Sequence, residues 1–415
     1  MRTIFYYVDR VTKHPLFRQL SWYTVGQIAV QVFSFLGVIA TSRYLGPTNV
    51  GLYSFVQNYL AIFMTLTIGM DFYFTWKVAK SDNKIKELVE YFGHKFNVTV
   101  VLTFIGVGLA WLILPKDVAL LATIMFVPLI FSSCTAFFLY AVATNKANTI
   151  ALFQIGASAL LFLAKIILVI SAAPLIAFIV VNAVDTVLVA MLLGGLYLSK
   201  ENILNSFKES TFPTLFKTMQ FMYSVRMSLI AIALWQLILR IDQLVLATFS
   251  NAYTLGIYSA AVKIAEVPNF LAGVLYTALV SHIALFAGNN DTHSKRRVKQ
   301  VLLLYAFTGL VIATFVFFIA PYAIYFLYGS KFAEAVPVLQ AYALSIPGMF
   351  VTLHYFGVYG VRDKHFLQSI IFLGGLLLNV ALIYILTPLY GLVGAALSTA
   401  FVYTLIASIF YFQAE

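Results

Sequence analysis

Twelve apolar runs succeed one another along this chain, near residues 19–40, 52–73, 98–115, 118–141, 149–170, 173–196, 222–247, 254–284, 299–320, 335–358, 366–387 and 389–412. Each holds about 20 residues or more, the length a helix needs to cross the hydrocarbon core of a bilayer. Charged residues make up 10% of the 415, where soluble domains carry about a quarter. Mean hydropathy is +0.94. The sequence therefore predicts an all-α integral membrane protein with twelve transmembrane helices.

The connections between the runs set the topology. Nineteen Lys and Arg fall in the N-terminus and in the connections of one side, against Arg43, Lys116 and Lys331 on the other. By the positive-inside rule both termini are expected in the cytoplasm. The first 18 residues mix aromatic side chains with Arg2, Arg10, Lys13 and Arg18 and lack a compact apolar core or small-residue cleavage site, so they read as a cytoplasmic interfacial segment. The net charge of +11 is spread over short loops and is topological, with no stretch able to fold as a nucleic-acid reader. No connection exceeds about 25 residues, which leaves no room for a catalytic ectodomain. The single cysteine, Cys134, excludes an internal disulfide and reads as a buried, inert thiol. The six histidines do not cluster at ligand spacing, and no Walker A loop, dinucleotide glycine motif or paired-aspartate sugar-nucleotide motif is present. No cofactor or metal is expected, and ATP hydrolysis by this chain alone is not.

The longest connection, 197–221, lies at the chain's midpoint and reads as a linker between an N-lobe over 19–196 and a C-lobe over 222–415. The halves resemble each other: Gly51-Leu52-Tyr53-Ser54 recurs as Gly256-Ile257-Tyr258-Ser259, displaced by 205 residues. Pro128 is answered by Pro347, displaced by 219, while Asn145-Lys146 and Gly156 are answered by Asp363-Lys364 and Gly374, displaced by 218. Six is an even number of crossings, so the two halves have the same orientation about an axis along the membrane normal. Two pseudo-symmetric six-helix lobes are expected.

Ionisable residues inside apolar runs carry the functional signal. A charge at the bilayer centre costs roughly 2.5–3.5 kcal/mol, and such residues normally face protein or water. Lys165, Asp185, Arg240, Asp242, Lys263 and Glu266 lie well inside the runs. The last four flank a short turn at Ser250-Asn251-Ala252, at depths of roughly 9–18 Å. Antiparallel helices would bring Asp242 near the level of Lys263 and Arg240 near that of Glu266. Two readings stay open for them: bridges fastening one helix to the next, or the lining of a polar cavity through which an anion passes. For Lys165, snorkelling to the outer interface stands beside a cavity role; for Asp185, beside Asn182, a cavity or proton-relay position is favoured. Asp71, Lys77 and Arg226 lie near cytoplasmic helix ends, as interfacial anchors or as groups that admit substrate. Arg43 precedes a Gly46-Pro47 turn that should stop a helix, and Pro268 should kink the helix that carries Glu266.

The stretch RYLGPTNVGLYSF after the first run, followed half a chain later by RIDQLVLATFSNAYTLGIYSAAVKIAEVPNFL and then by YGSKFAEAVPVLQ, resembles the polysaccharide-biosynthesis flippase family, the O-antigen type of lipid-linked oligosaccharide translocase. That resemblance implies two six-helix lobes around a central cavity, and translocation of an undecaprenyl-diphosphate-linked oligosaccharide across the bacterial inner membrane by alternating access, driven by H+, Na+ or the membrane potential. A polysaccharide polymerase and a chain-length regulator are the protein partners such a flippase would work beside. On this reading Arg240, Lys263, Lys165, Arg43, Arg226 and Lys77 are the substrate-binding cations, and Asp242, Glu266, Asp185 and Asp71 the coupling or gating carboxylates. The six deepest groups sum to zero charge, so either carboxylates are protonated during part of the cycle or Arg43, Lys77 and Arg226 also reach the cavity. Two competitors remain. A multidrug exporter of the same superfamily would favour an acidic cavity, which Lys165, Arg240 and Lys263 oppose. A membrane-embedded glycan polymerase or ligase would need catalytic groups on a sizeable outer loop.

Overall fold

The structure, a computed structural model, describes residues 15–144, 147–199, 201–209, 211–288 and 291–414. The expected interfacial segment falls outside these as far as residue 14, as do Asn145, Lys146 and Lys200. Among the described residues there is no strand; helices follow one another through short connections.

The two longest helices are each divided by a glycine. α1 (Pro15–Lys80) breaks at Gly46, whose φ of 71° and ψ of 172° leave the helical region, and Pro47 opens the next stretch. Glycine takes a positive φ without a Cβ clash, and proline is tolerated where its missing amide would have no intrahelical partner. The expected Gly-Pro turn is therefore a break between two helical pieces. At the other end of the chain, α16 (His365–Ala414) breaks at Gly391, with φ 61° and ψ −148°.

Between them run α2 (Lys84–Ile113), α3 (Lys116–Phe126), a 3-10 segment over Val127–Cys134, α4 (Thr135–Ala143), α5 (Ala147–Ile170) and α6 (Leu175–Leu198). The midpoint follows with α7 (Glu201–Glu209) and α8 (Leu215–Ser224), then α9 (Arg226–Ile238), α10 (Ile241–Phe249), α11 (Ala252–Ala265), α12 (Val267–Ala287), α13 (Thr292–Leu327), α14 (Ala335–Ala343) and α15 (Ser345–Val361). Among the described residues eight helices are long and apolar enough to span a membrane, or nine if α8 and α9 are counted together as one span. α1 and α16 are each counted once there, although each carries two of the expected runs, one on either side of its break.

One expectation needs correction. The run placed at 98–115 begins at Lys84, where Asn83 caps α2 by accepting a hydrogen bond from the Lys86 amide and Glu87 stands in the first turn. A side-chain cap and an early acidic residue both stabilise a helix start. The charged first turns look like loop in sequence, so Lys95, counted among the loop cations, is in fact buried along α2.

The chain separates into two compact units: the described part of Met1–Thr41 with Leu66–Val225, and Ser42–Thr65 with Arg226–Glu415. The division differs from a single cut in the 197–221 linker because Ser42–Thr65 joins the second unit. Its attachment is explained by glycine. A Cβ on Gly51 would strike the carbonyl of Ala252, and one on Gly256 would strike the carbonyl of Pro47, so the two backbones touch as only small residues allow.

In the first unit Phe74 stacks on Tyr91 at 4.0 Å between ring centroids, and Phe126 fills the space left by Gly106. The interior of the second unit is aromatic: Trp235 packs on Phe356, Phe372 and Tyr403, and Phe372 on Phe410, which also meets Tyr355 and Tyr359. Large apolar side chains also face outward, Leu112 at 81% exposure and Phe326 at 79%. Apolar surface on that scale is matched to lipid and not to water.

Candidate functional site

The segment over 239–268 places its charges where helices break. α9 ends at Ile238 and α10 begins at Ile241, with Arg240 in the intervening turn as the residue that caps α10. α11 ends at Ala265 and α12 begins at Val267, with Glu266 between them and Pro268 in the first turn beyond. Ahead of Pro268 the helix is interrupted at one residue, Glu266, whose backbone stays in the helical region (φ −80°, ψ −18°). Arg240 lies between the C-terminus of α9 and the N-terminus of α10, and Glu266 between the C-terminus of α11 and the N-terminus of α12, so the two flanking helix dipoles act on each charge in opposite senses.

Arg240 Nη1 donates to Glu266 Oε1 at 2.6 Å. The side chains keep 29% and 16% of their exposure, so the pair is shielded without being sealed. Of the two cross-helix approaches expected from sequence, this one is realised as an ion pair. Asp242 makes different bonds. It is fully buried, accepting from the Tyr258 hydroxyl at 2.8 Å and from the Gln243 amide at 2.8 Å. Gln243 extends the network, its Oε1 accepting from Asn58 Nδ2 and Ser259 Oγ, both at 2.9 Å. Lys263 is half-buried in the last turn of α11.

The first unit holds a second group. Asp71 Oδ1 accepts from Lys95 Nζ and from the Tyr91 hydroxyl, both at 2.5 Å, and Lys95 also donates to Thr135 Oγ1 at 2.6 Å. Lys95 retains 2% of its side-chain exposure and Asp71 retains 24%. Nearby, Lys77 pairs with Glu87 at 2.7 Å. Burial pulls the Lys77 ammonium down, but the hydrogen bond and charge of Glu87, with Glu90 behind it, outweigh burial and hold it above its usual value.

Lys165 on α5 and Asp185 on α6 are both half-buried and feel each other's charge. The Lys165 stem lies against Gly37, where a Cβ would stand 3.2 Å from its Cδ. Arg43 is exposed just before the Gly46 break, and Arg226 is exposed as the first residue of α9. Of the expected site residues, the structure pairs Arg240 with Glu266.

The sequence reading missed Lys95, Tyr91, Tyr258, Gln243 and Asn58. The last of these stands seven residues beyond Gly51 on the same helix, and small residues at the crossing are what bring it to Gln243. The midpoint is likewise a docked element: Asn97 Nδ2 donates to the Pro213 carbonyl at 2.7 Å and to Thr218 Oγ1 at 3.1 Å, while the His94 ring stacks on Phe221. Among the described residues no group of His, Cys, Asp and Glu is arranged to hold a metal ion.

Comparison with known proteins follows the same lines. The sequence pattern of the family described as "Polysaccharide biosynthesis protein" matches residues 16–284, well over half of the chain. A search of curated proteins found no sequence match. Among solved structures, an inward-facing multidrug resistance MATE family transporter of the MOP superfamily superposes with a TM-score of 0.75 at 12% identity, covering 93% of each chain. The lipid II flippase MurJ in an inward closed conformation gives 0.73 at 14% identity, covering 94% of this chain and 87% of that one. An outward-facing MATE transporter gives 0.69 at 11% identity, covering 95% and 94%. At these identities the likeness is one of fold.

Proposed function

Since the chain belongs to the polysaccharide biosynthesis protein family, we propose that this multi-pass membrane protein is a flippase that moves an oligosaccharide carried on undecaprenyl diphosphate from the inner to the outer leaflet of the bacterial cytoplasmic membrane. The reading rests above all on the Arg240–Glu266 pair, a guanidinium held half-shielded at the junction of two broken helices. Hydrocarbon cannot solvate a diphosphate, and guanidinium is the group best able to replace its hydration, through paired charge-assisted hydrogen bonds. Cargo would displace Glu266 as the partner of Arg240.

Lys263 and Lys165 are further substrate-binding cations on this reading, with Arg43, Arg226 and Lys77 at helix ends as points of admission. Asp242, Glu266, Asp185 and Asp71 supply the coupling carboxylates of an alternating-access cycle driven by H+, Na+ or the membrane potential. With Lys95 set inside α2, eighteen Lys and Arg on one side against three on the other support cytoplasmic termini. A polysaccharide polymerase and a chain-length regulator are the downstream partners such a cycle would feed.

The test uses the full-length protein in proteoliposomes carrying fluorescent undecaprenyl-diphosphate glycan in both leaflets. Bleaching from outside should proceed well beyond the outer-leaflet half in protein-containing vesicles and stop at half in empty ones. Movement of cationic dyes without movement of the glycan lipid would support the exporter reading. Lengthening of the glycan would support a polymerase.

A further inference from the structure

A cavity of about 330 Å³ opens in the second unit, well along the chain from Arg240. The N-terminal turns of α13 supply Lys295, Arg296, Val298, Lys299 and Leu302 to its wall; the end of α15 supplies Tyr355 and Val358, the residue after it is Arg362, and α16 contributes Tyr411. The lining divides by chemistry. Lys295, Arg296 and Lys299 are exposed and Arg362 is half-exposed, whereas Leu302, Tyr355 and Val358 are buried. Among the described residues no carboxylate lies within ion-pair distance of Lys295, Arg296 or Arg362, and the acids adjoining them in sequence are engaged elsewhere. Asp291 is engaged in capping α13 through the Ser294 amide, and Asp363 sits beside His365.

A cationic rim over an apolar floor is the inverse of what either water or hydrocarbon alone would select. Positive-inside anchors need only reach the interface; they do not need a cavity with a buried tyrosine and valine beneath them. A basic pocket between helix ends at the membrane surface takes a phosphate headgroup, and the apolar floor takes the first methylenes attached to it. The volume is of the size that holds a small ligand, at the low end of the usual range. Arg362 is positioned for this by its own backbone contact, Nε donating to the Ala287 carbonyl at 2.8 Å, which ties the end of α15 to the end of α12.

We propose that this cavity binds the phosphate headgroup of an anionic glycerophospholipid, gripped by Lys295, Arg296, Lys299 and Arg362, with the adjoining chain carbons on Leu302, Tyr355 and Val358. The proposal stands apart from the transport reading, because none of these residues belongs to the Arg240–Glu266 junction. A resident lipid here seats the cytoplasmic ends of α13, α15 and α16 against one another.

Native mass spectrometry of the full-length protein, taken from nanodiscs of phosphatidylcholine with phosphatidylglycerol, tests it. Wild type should retain phosphatidylglycerol over phosphatidylcholine, and K295Q/R296Q should lower that retention by about tenfold or more. The same charge change made elsewhere, K84Q/K86Q, should leave it intact, and both variants should melt as wild type does in neutral detergent. Equal retention in K295Q/R296Q and wild type overturns the proposal. So does displacement of the lipid by inorganic phosphate at about 10 mM, which would mark a free-anion site, or displacement by undecaprenyl phosphate at equimolar amounts, which would mark a cargo site.

Discussion

The amide nitrogens of Gly51 and Gly256 each lie 2.9 Å from where the other residue's Cβ would stand, so two helices touch backbone to backbone at matching positions of two repeats 205 residues apart. The contact is reciprocal: each glycine also faces the carbonyl of the residue four places before its counterpart, Ala252 for Gly51 and Pro47 for Gly256. A local twofold relationship between repeated sequences has this form.

Backbone cannot retreat as a side chain can, so Gly256→Ala should destabilise the protein by about 1–3 kcal/mol through overpacking. Gly194→Ala, at a helical position with open space around it, should be neutral or stabilise by about 0.5–1 kcal/mol. Melting temperatures of the two variants in the same detergent check this, and equal melting would contradict the close crossing.

The Asp71–Lys95 pair gives an asymmetric expectation. Asp71→Asn strands a lysine that has 2% of its side-chain exposure, whereas Lys95→Met strands a carboxylate with 24% exposure and a remaining hydrogen bond from Tyr91. Removing one partner of a buried pair costs about 3–5 kcal/mol. D71N should therefore lie near that range and K95M below it, with D71N/K95M more stable than D71N alone. Denaturation of the three variants decides, and a double variant no better than D71N would show that the pair is not coupled.

Asn97 ties the midpoint of the chain to α2 through Pro213 and Thr218. Asn97→Ala should cost about 1–2 kcal/mol locally and raise hydrogen exchange over residues 211–224 while leaving α13 to α16 unchanged. Uniform exchange across the chain in the variant would show that this segment is not held by these bonds.

How much of this was legible beforehand follows from what each residue's signal depends on. Helical class came from run length alone, and the Gly46-Pro47 break, the Ser250-Asn251 turn and the interruption ahead of Pro268 came from local backbone chemistry, which a sequence displays directly. The start of α2 did not, because Lys84, Lys86 and Glu87 make a helix's first turns look like loop, and Lys95 was read as a surface cation with them. Arg240 and Glu266 were matched by depth, since two antiparallel helices fix which levels meet. Depth does not set the rotation of a helix about its axis, so the hydrogen bond from Tyr258 to Asp242 was not legible from the levels of the charged residues. Asn58 reaches Gln243 only through a crossing of helices 185 residues apart in sequence, which no local pattern announces.

The central claim is that the Arg240 guanidinium, held by Glu266 when no cargo is present, is the group that takes a lipid diphosphate. Equilibrium binding of undecaprenyl diphosphate to purified full-length wild type, R240A and E266Q tests it most directly, with folding verified by each variant's melting curve. The account predicts at least about tenfold weaker binding for R240A, the scale of a hydrogen bond to a charged group, and tighter binding for E266Q, where the competing carboxylate is gone. Unchanged affinity in a folded R240A, or weaker binding in E266Q, would contradict it.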